Sequence, residues 1–295
     1  MLTFGLVCAP SATSIEKNLQ TLKQYAAQAK ERSCTALCFP ECFLTGYAPK
    51  ESAKSAISKD SSYVNVISRL AAELQLDLLT GFIELEPNSD IQVNFTERKL
   101  NPDIQIDFTK PEQRRKRCYI THGVFLTDGT THFYRKTHLG TREKEYFAAG
   151  NSLDVFTLSC GVKIGIQLCA ETHFNDITQT LSLRGAQLIF APHAVPGKAG
   201  SRKSVWEKYI PARSYDNRVY MACCNQWDGE KFEGGALVTN PAGETIASSY
   251  EKCEQLLTFS IEESNVLPAE QLPQRGKYYF PEKRRLELYD YSVLY

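Results

Sequence analysis

The sequence of 295 residues has no excess charge of either sign: 34 Lys+Arg are matched by 34 Asp+Glu, for a formal net charge of zero. A general nucleic-acid binder is expected to be basic, so this balance argues against one. Apolar residues make up 42% and charged residues 23%, which excludes a largely disordered chain. No apolar run approaches the roughly 20 residues that a membrane span needs. The start, MLTFGLVCAP, has neither the basic opening nor the apolar segment of a signal peptide. It reads as a first buried strand of a cytoplasmic protein. Internal repeats, low-complexity segments and an obvious linker are also missing. The length suits one large domain or two small ones around a substantial core.

What is present in quantity is cysteine, ten in all. An even count invites a disulfide framework, but the expected reducing compartment disfavours it. Cys34, Cys38 and Cys42 are four apart, yet the CxxC pairs of a zinc site are absent, so no metal is expected. Most of the ten lie in apolar runs and read as small buried hydrophobes.

Strand-like and helix-like stretches alternate. Residues 3–8 form a strand pattern. Ile15, Leu19, Leu22, Ala26 and Ala29 then fall at helical spacing, with Ser14 as N-cap. Further strands are expected at 35–39, 77–84, 118–126 and 131–135, with Asp128-Gly129 as a hairpin turn. A hairpin over 153–168 turns near Gly161. Strands at 187–191, 219–225, 234–239, 245–248 and 255–260 complete the set. Helices are expected at 60–75, 173–184 and 203–217. Residues 85–117 differ: polar, with three prolines and the basic run Arg114–Arg117, they read as a long excursion. The tail 261–295 is polar and aromatic with little periodicity. The pattern favours one layered α/β domain.

Three residues at the ends of expected strands could carry chemistry, where open α/β sheets place their sites. Cys169 follows the apolar strand 162–168 and precedes a helix, a turn that exposes a side chain near free backbone N–H groups. Alone it reads more readily as a buried structural cysteine than as a nucleophile. Glu41 follows strand 35–39 and suits an N-cap, an ion pair or a general base. Lys136 ends strand 131–135, where a lysine is ordinarily solvated. Together they form a coherent set. A thiol with a free pKa of about 8.5 needs a base or a cation to become a thiolate. A glutamate can take that proton and return it to a leaving amine. A lysine can donate to a developing oxyanion. None of the five histidines forms a convincing pair with a cysteine.

These residues lie in motifs that resemble the nitrilase superfamily of carbon–nitrogen hydrolases, whose mark is a Glu–Lys–Cys triad. The motifs are Phe39-Pro40-Glu41-Cys42-Phe43-Leu44-Thr45-Gly46-Tyr47, then Tyr134-Arg135-Lys136-Thr137-His138-Leu139 with Phe147 and Gly150, then Gly165-Ile166-Gln167-Leu168-Cys169-Ala170-Glu171. Pro211-Ala212-Arg213-Ser214-Tyr215-Asp216-Asn217, Asn225, Gly234, Pro241-Ala242-Gly243 and Arg284-Arg285-Leu286-Glu287-Leu288-Tyr289 continue the likeness along nearly the whole chain.

The resemblance implies a four-layer α-β-β-α sandwich over 1–260. The tail 261–295 would pack across the interface of a homodimer or larger homo-oligomer. It implies Glu41 as general base, Lys136 as oxyanion stabiliser and Cys169 as nucleophile. Glu143 would be a second glutamate, with Glu145 its rival, and the Ala170 backbone N–H would complete the oxyanion hole. The reaction implied is hydrolysis of a small ω-amide or N-carbamoyl amine through a thioester, without cofactor. Tyr47, His173, His193 and Arg213, with Trp206, are candidates for the pocket. An arginine there would favour a substrate carboxylate. For Arg213 a structural ion pair is the competing reading. Two departures stand out. Ala170 replaces the bulky residue usual after the nucleophile, and 85–117 is longer than usual. An aliphatic nitrile, a silent scaffold of the same fold and a thiol redox sensor are the alternative functions.

Overall fold

In the computed structural model, residues 1–51, 55–86, 118–197, 201–266 and 281–288 are described. Almost all of 85–117 and most of the tail lie outside them.

The first half of the chain contributes β1 (Leu2–Cys8), β2 (Ala36–Cys38), β3 (Asp77–Leu85), β4 (Cys118–Phe125) and β5 (Thr131–Arg135). The second contributes β6 (Val155–Thr157), β7 (Lys163–Ile166), β8 (Leu188–His193), β9 (Tyr220–Asn225), β10 (Ala236–Thr239), β11 (Thr245–Ser249) and β12 (Gln255–Ile261). They form two six-stranded sheets, ordered β12-β1-β2-β3-β4-β5 and β11-β10-β9-β8-β7-β6. Each sheet has three parallel strands at its centre, β1-β2-β3 and β7-β8-β9. The flanking pairings are antiparallel. Through two antiparallel steps, β5 runs in the same direction as β3.

Alternation along the strands sorts the side chains into three apolar layers. Leu79, Phe190 and Cys224 point between the sheets, where Phe4 stacks on Phe259 (5.4 Å) and meets Phe190 edge-on (6.3 Å). Their neighbours Leu78, Ile189 and Cys223 point outward. Leu78 meets helices α1 (Ile15–Glu31) and α2 (Ser62–Leu74) through Leu22, Ala26 and Ile67. Ile189 and Cys223 meet α3 (Asn175–Leu183) and α4 (Arg202–Asn217) through Leu181, Trp206 and Ile210. The result is a four-layer α-β-β-α sandwich. Ser14 and Ser61 cap α1 and α2 by accepting from the N–H groups of Lys17 and Val64.

All ten cysteines are free and seven are buried. Cys38 and Cys42 pack between the sheets and Cys34 under α1, so the spacing of four serves packing on two faces of one sheet.

The expected helix 173–184 begins later. Cys169–His173 is a separate 3-10 turn, and Phe174 is extended before α3 starts. Arg213 fixes that break, donating to the carbonyls of Thr172 (3.4 Å) and His173 (3.0 Å). Within the described tail, Arg284 lies 3.8 Å from Asp176 of α3. No helix among the described residues is long and apolar enough to cross a membrane.

Candidate active site

The turn after β2 is forced sharply out of the sheet. Pro40 ends the strand pairing, and Cys42 adopts a left-handed φ of 54°. The Gly46 N–H closes on the Cys42 carbonyl at 2.8 Å and the Leu44 N–H on Gly81 at 2.9 Å. A methyl group on Gly81 would stand 2.5 Å from the Cys42 nitrogen, so only glycine lets β3 approach this turn. The Gln226 amide donates to the Glu41 carbonyl (2.8 Å), tying the turn to the second sheet. Glu41 is thereby held at the C-terminal end of β2 with no solvent exposure.

Lys136 follows β5 and is almost as fully buried. Its backbone bonds to Ile120 and receives Gly150, which approaches too closely to carry a side chain beside Arg135. The ammonium donates to Glu41 Oε1 at 2.8 Å and Glu143 Oε1 at 2.9 Å. Glu143 Oε1 also accepts from the Tyr47 hydroxyl (2.8 Å), and Oε2 accepts from the Gly140 N–H (2.7 Å). Glu145 is exposed, so Glu143 is the glutamate that reaches the lysine.

Cys169 opens the 3-10 turn after β7 at a left-handed φ of 50°. The first bond of the turn runs from the Glu171 N–H to the Leu168 carbonyl (3.0 Å), so the Cys169 and Ala170 N–H groups stand ahead of it. The turn is anchored by Glu171, a role the sequence did not reveal. Its buried carboxylate accepts from the Tyr134 hydroxyl, the Thr137 N–H and hydroxyl, and the His138 and Leu168 N–H groups, at 2.7–3.1 Å. One side chain therefore clamps the segment after Lys136 to the segment bearing Cys169.

Electrostatics bind the three candidates into one unit. Burial pushes the Glu41 carboxyl up to about 7, against the pull of Lys136 and with the help of Glu143. Burial likewise pushes the Cys169 thiol up to about 12, aided by Glu41 and Glu143 and opposed by Lys136 and an Ala194 backbone hydrogen bond. Burial opposes the charge on Lys136, but Glu41, Cys169 and Glu143 outweigh it and hold its pKa well above the ordinary lysine value. The resting site thus carries a charged lysine, a poised carboxyl and a neutral thiol. Glu41 Oε2 is buried with no hydrogen-bond partner, an acceptor available for a thiol or water proton.

The pocket candidates separate. Tyr47 belongs to the cluster. His193 is buried behind it, with Nδ1 bonded to the Ala191 carbonyl (2.7 Å) and its ring 4.8 Å from Trp206. Burial and the nearby Arg202 and Lys136 bring its pKa down to about 3, so it is neutral. His173 lies at the surface, 4.5 Å from Tyr209. Arg213 is occupied by the carbonyls after the cysteine turn rather than by the cluster. Ala194 and Gln226 join the site without a sequence signal of their own, and Glu171, quoted only as the end of the third motif, joins it as the clamp.

Three comparisons place this geometry among known proteins. Over 292 residues the chain is 22% identical to a probable nitrilase of Schizosaccharomyces pombe, covering 95% of this chain and 94% of that one. Over 248 residues it is 27% identical to an omega-amidase of Xenopus tropicalis, covering 79% of each. In structure it superposes on an amidase from Nesterenkonia sp. with a TM-score of 0.72 at 22% identity, over 97% of this chain and 94% of the other. The carbon-nitrogen hydrolase family matches residues 5–269, and the chain belongs to that family.

Proposed function

We propose that the protein hydrolyses the C–N bond of a small ω-amide or N-carbamoyl amine through a Cys169 thioester. The observation that carries this reading is the buried Lys136 ammonium bonded at once to Glu41 and Glu143, on the elements that flank the Cys169 turn. Glu41 takes the thiol proton, and the sulfur attacks the substrate carbonyl carbon. Lys136 and the Ala170 N–H stabilise the oxygen that becomes negative. Collapse of the tetrahedral adduct breaks the C–N bond, and the proton on Glu41 leaves with ammonia or the amine. Water then loses a proton to Glu41, with Glu143 orienting the lysine beside it, and attacks the thioester. The C–S bond breaks, the acid departs and Cys169 regains its proton. Every step uses groups of the chain itself. The omega-amidase relative supports an amide, and the probable nitrilase relative is why nitriles belong in the test.

The reading extends to the assembly. The protein would act in the cytoplasm as a homodimer or larger homo-oligomer, with 261–295 crossing to a partner subunit. Exposed Phe174, Leu183, Tyr215 and Leu288 support this. The test is ammonia release from a panel of ω-amides, N-carbamoyl amines and aliphatic nitriles. Release by the wild type that is lost in Cys169→Ala is expected. Release that survives in Cys169→Ala would end the proposal, as would nitriles being the preferred substrates.

A further inference from the structure

The Ala170 N–H that the proposed mechanism uses for the oxyanion shares its peptide with the Cys169 carbonyl. The N–H and C=O of a trans peptide lie in one plane and point in opposite directions. Whatever holds the carbonyl therefore aims the N–H. This peptide needs holding. Cys169 sits at a left-handed φ of 50°, which a residue with a side chain adopts only at a cost. Ala170 brings a partly buried methyl group and no polar atom that could anchor it. Glu171 clamps the flanking segments, but its donors are Tyr134, Thr137, His138 and Leu168, and none belongs to the Cys169–Ala170 peptide.

The hold comes from Thr172. Its buried hydroxyl donates to the Cys169 carbonyl at 2.7 Å. The same oxygen lies 2.9 Å from the Tyr209 hydroxyl. A hydroxyl carries one proton and a carbonyl only accepts, so the Thr172 proton is committed to Cys169 and Tyr209 donates to Thr172. Burial pushes the Tyr209 phenol well above the ordinary tyrosine value, so it keeps the proton it donates. Tyr209 belongs to α4, and its ring lies 4.5 Å from the His173 ring and 5.9 Å from the Arg213 guanidinium. Arg213 in turn donates to the Thr172 and His173 carbonyls. A chain of donors thus runs from a packed helix, through Thr172, to the peptide that bears the Ala170 N–H.

We infer that Tyr209 and Thr172 form a hydrogen-bond relay that fixes the plane of the Cys169–Ala170 peptide and so aims the Ala170 N–H at the developing oxyanion. Neither side chain touches the reacting atoms; both are positioning residues. An N–H held in place before the substrate arrives needs no reorganisation when negative charge appears on the oxygen.

The role rests on the thioester reading of the site, so activity and geometry are measured separately. Wild type, Thr172→Val, Thr172→Ser, Tyr209→Phe and Thr172→Val/Tyr209→Phe are compared on an amide that the wild type turns over. Alkylation of Cys169 by iodoacetamide, followed by peptide mapping, is the control. It displaces iodide from a saturated carbon and forms no oxyanion, so it reports the thiol alone. Thr172→Val should lower kcat about 10- to 100-fold, the cost of a misaimed oxyanion donor. KM and the alkylation rate should stay within about twofold. Thr172→Ser should recover most of the loss. Tyr209→Phe should cost about fivefold in kcat, the weight of one hydrogen bond. The double variant should be no worse than Thr172→Val, because the relay is already broken. An unchanged kcat in Thr172→Val, a parallel fall in kcat and alkylation, no recovery in Thr172→Ser, or additive losses in the double variant overturns the inference. If Thr172→Val does not fold, Thr172→Ser and Tyr209→Phe still decide. If the wild type releases no ammonia, the amidase reading fails by itself, and crystal structures of wild type and Tyr209→Phe/Thr172→Val read the relay without substrate. A Cys169 carbonyl that leaves its plane in the variant supports the relay, and an unmoved one removes it.

Discussion

Lys136 keeps its charge in a place without solvent because two carboxylates touch it. That arrangement fixes what each substitution does. Lys136→Ala removes the proposed oxyanion donor and should lower kcat by about 10²- to 10³-fold. Near-normal turnover would remove lysine from the mechanism. As the proposed general base, Glu41 should set the acid side of the pH profile. Its carboxyl sits at about 7, so the basic form gains population as pH rises through that value and kcat/KM should rise with it. Glu143 adds to that elevation by charge repulsion, so Glu143→Gln should move the acid limb to lower pH while also lowering the rate. A limb that stays in place or moves up would contradict the assignment. Tyr47→Phe removes one donor from Glu143 and should cost about fivefold in kcat/KM, the weight of one hydrogen bond.

At the scale of elements, the site depends on turns more than on strands. Glu171 holds two turns together through five donors, and Glu171→Ala would leave several of them buried and unmet. It should lose about 3 kcal/mol in urea unfolding, and activity should fall with it. A loss below about 1 kcal/mol would show that the clamp is incidental. Gly81→Ala should displace the turn carrying Glu41 and reduce kcat more than its effect on stability alone explains, since small misplacements of reacting groups are costly. Most elements were legible in the sequence because their periodicity is strong: Ser14 and the apolar positions of α1 fall where expected, as do the hairpins at Gly129 and Gly161. The 3-10 turn at Cys169–His173 was not legible. It depends on Thr172, whose hydroxyl bonds back to the Cys169 carbonyl (2.7 Å), and on Arg213 from a distant helix. Glu41, Lys136 and Cys169 could be read from motifs as candidates, whereas the choice of Glu143 over Glu145 needed the fold, which buries the first and exposes the second. The clamp made by Glu171 could not be read, because its five donors converge only in the folded chain.

Across the whole molecule, the two sheets repeat one plan, and the candidate residues gather where their strand ends meet. Glu41 and Lys136 come from one sheet and Cys169 from the other, so the chemistry requires the sheets to be docked. The Phe4–Phe190 contact and the Gln226–Glu41 bond cross that junction. Assembly is a separate question: sedimentation should show a dimer or larger species, and removing residues 281–295 should shift it toward the monomer. A monomer at all concentrations would oppose the proposed role of the tail. The central claim is the covalent intermediate. Acid-quenched mixtures of the protein with a turned-over amide, read by intact mass and peptide mapping, test it directly. The account predicts a gain equal to the amide less ammonia, located on the peptide containing Cys169 and absent from Cys169→Ala. Steady ammonia release with no adduct on Cys169, or an adduct on another cysteine, would contradict it.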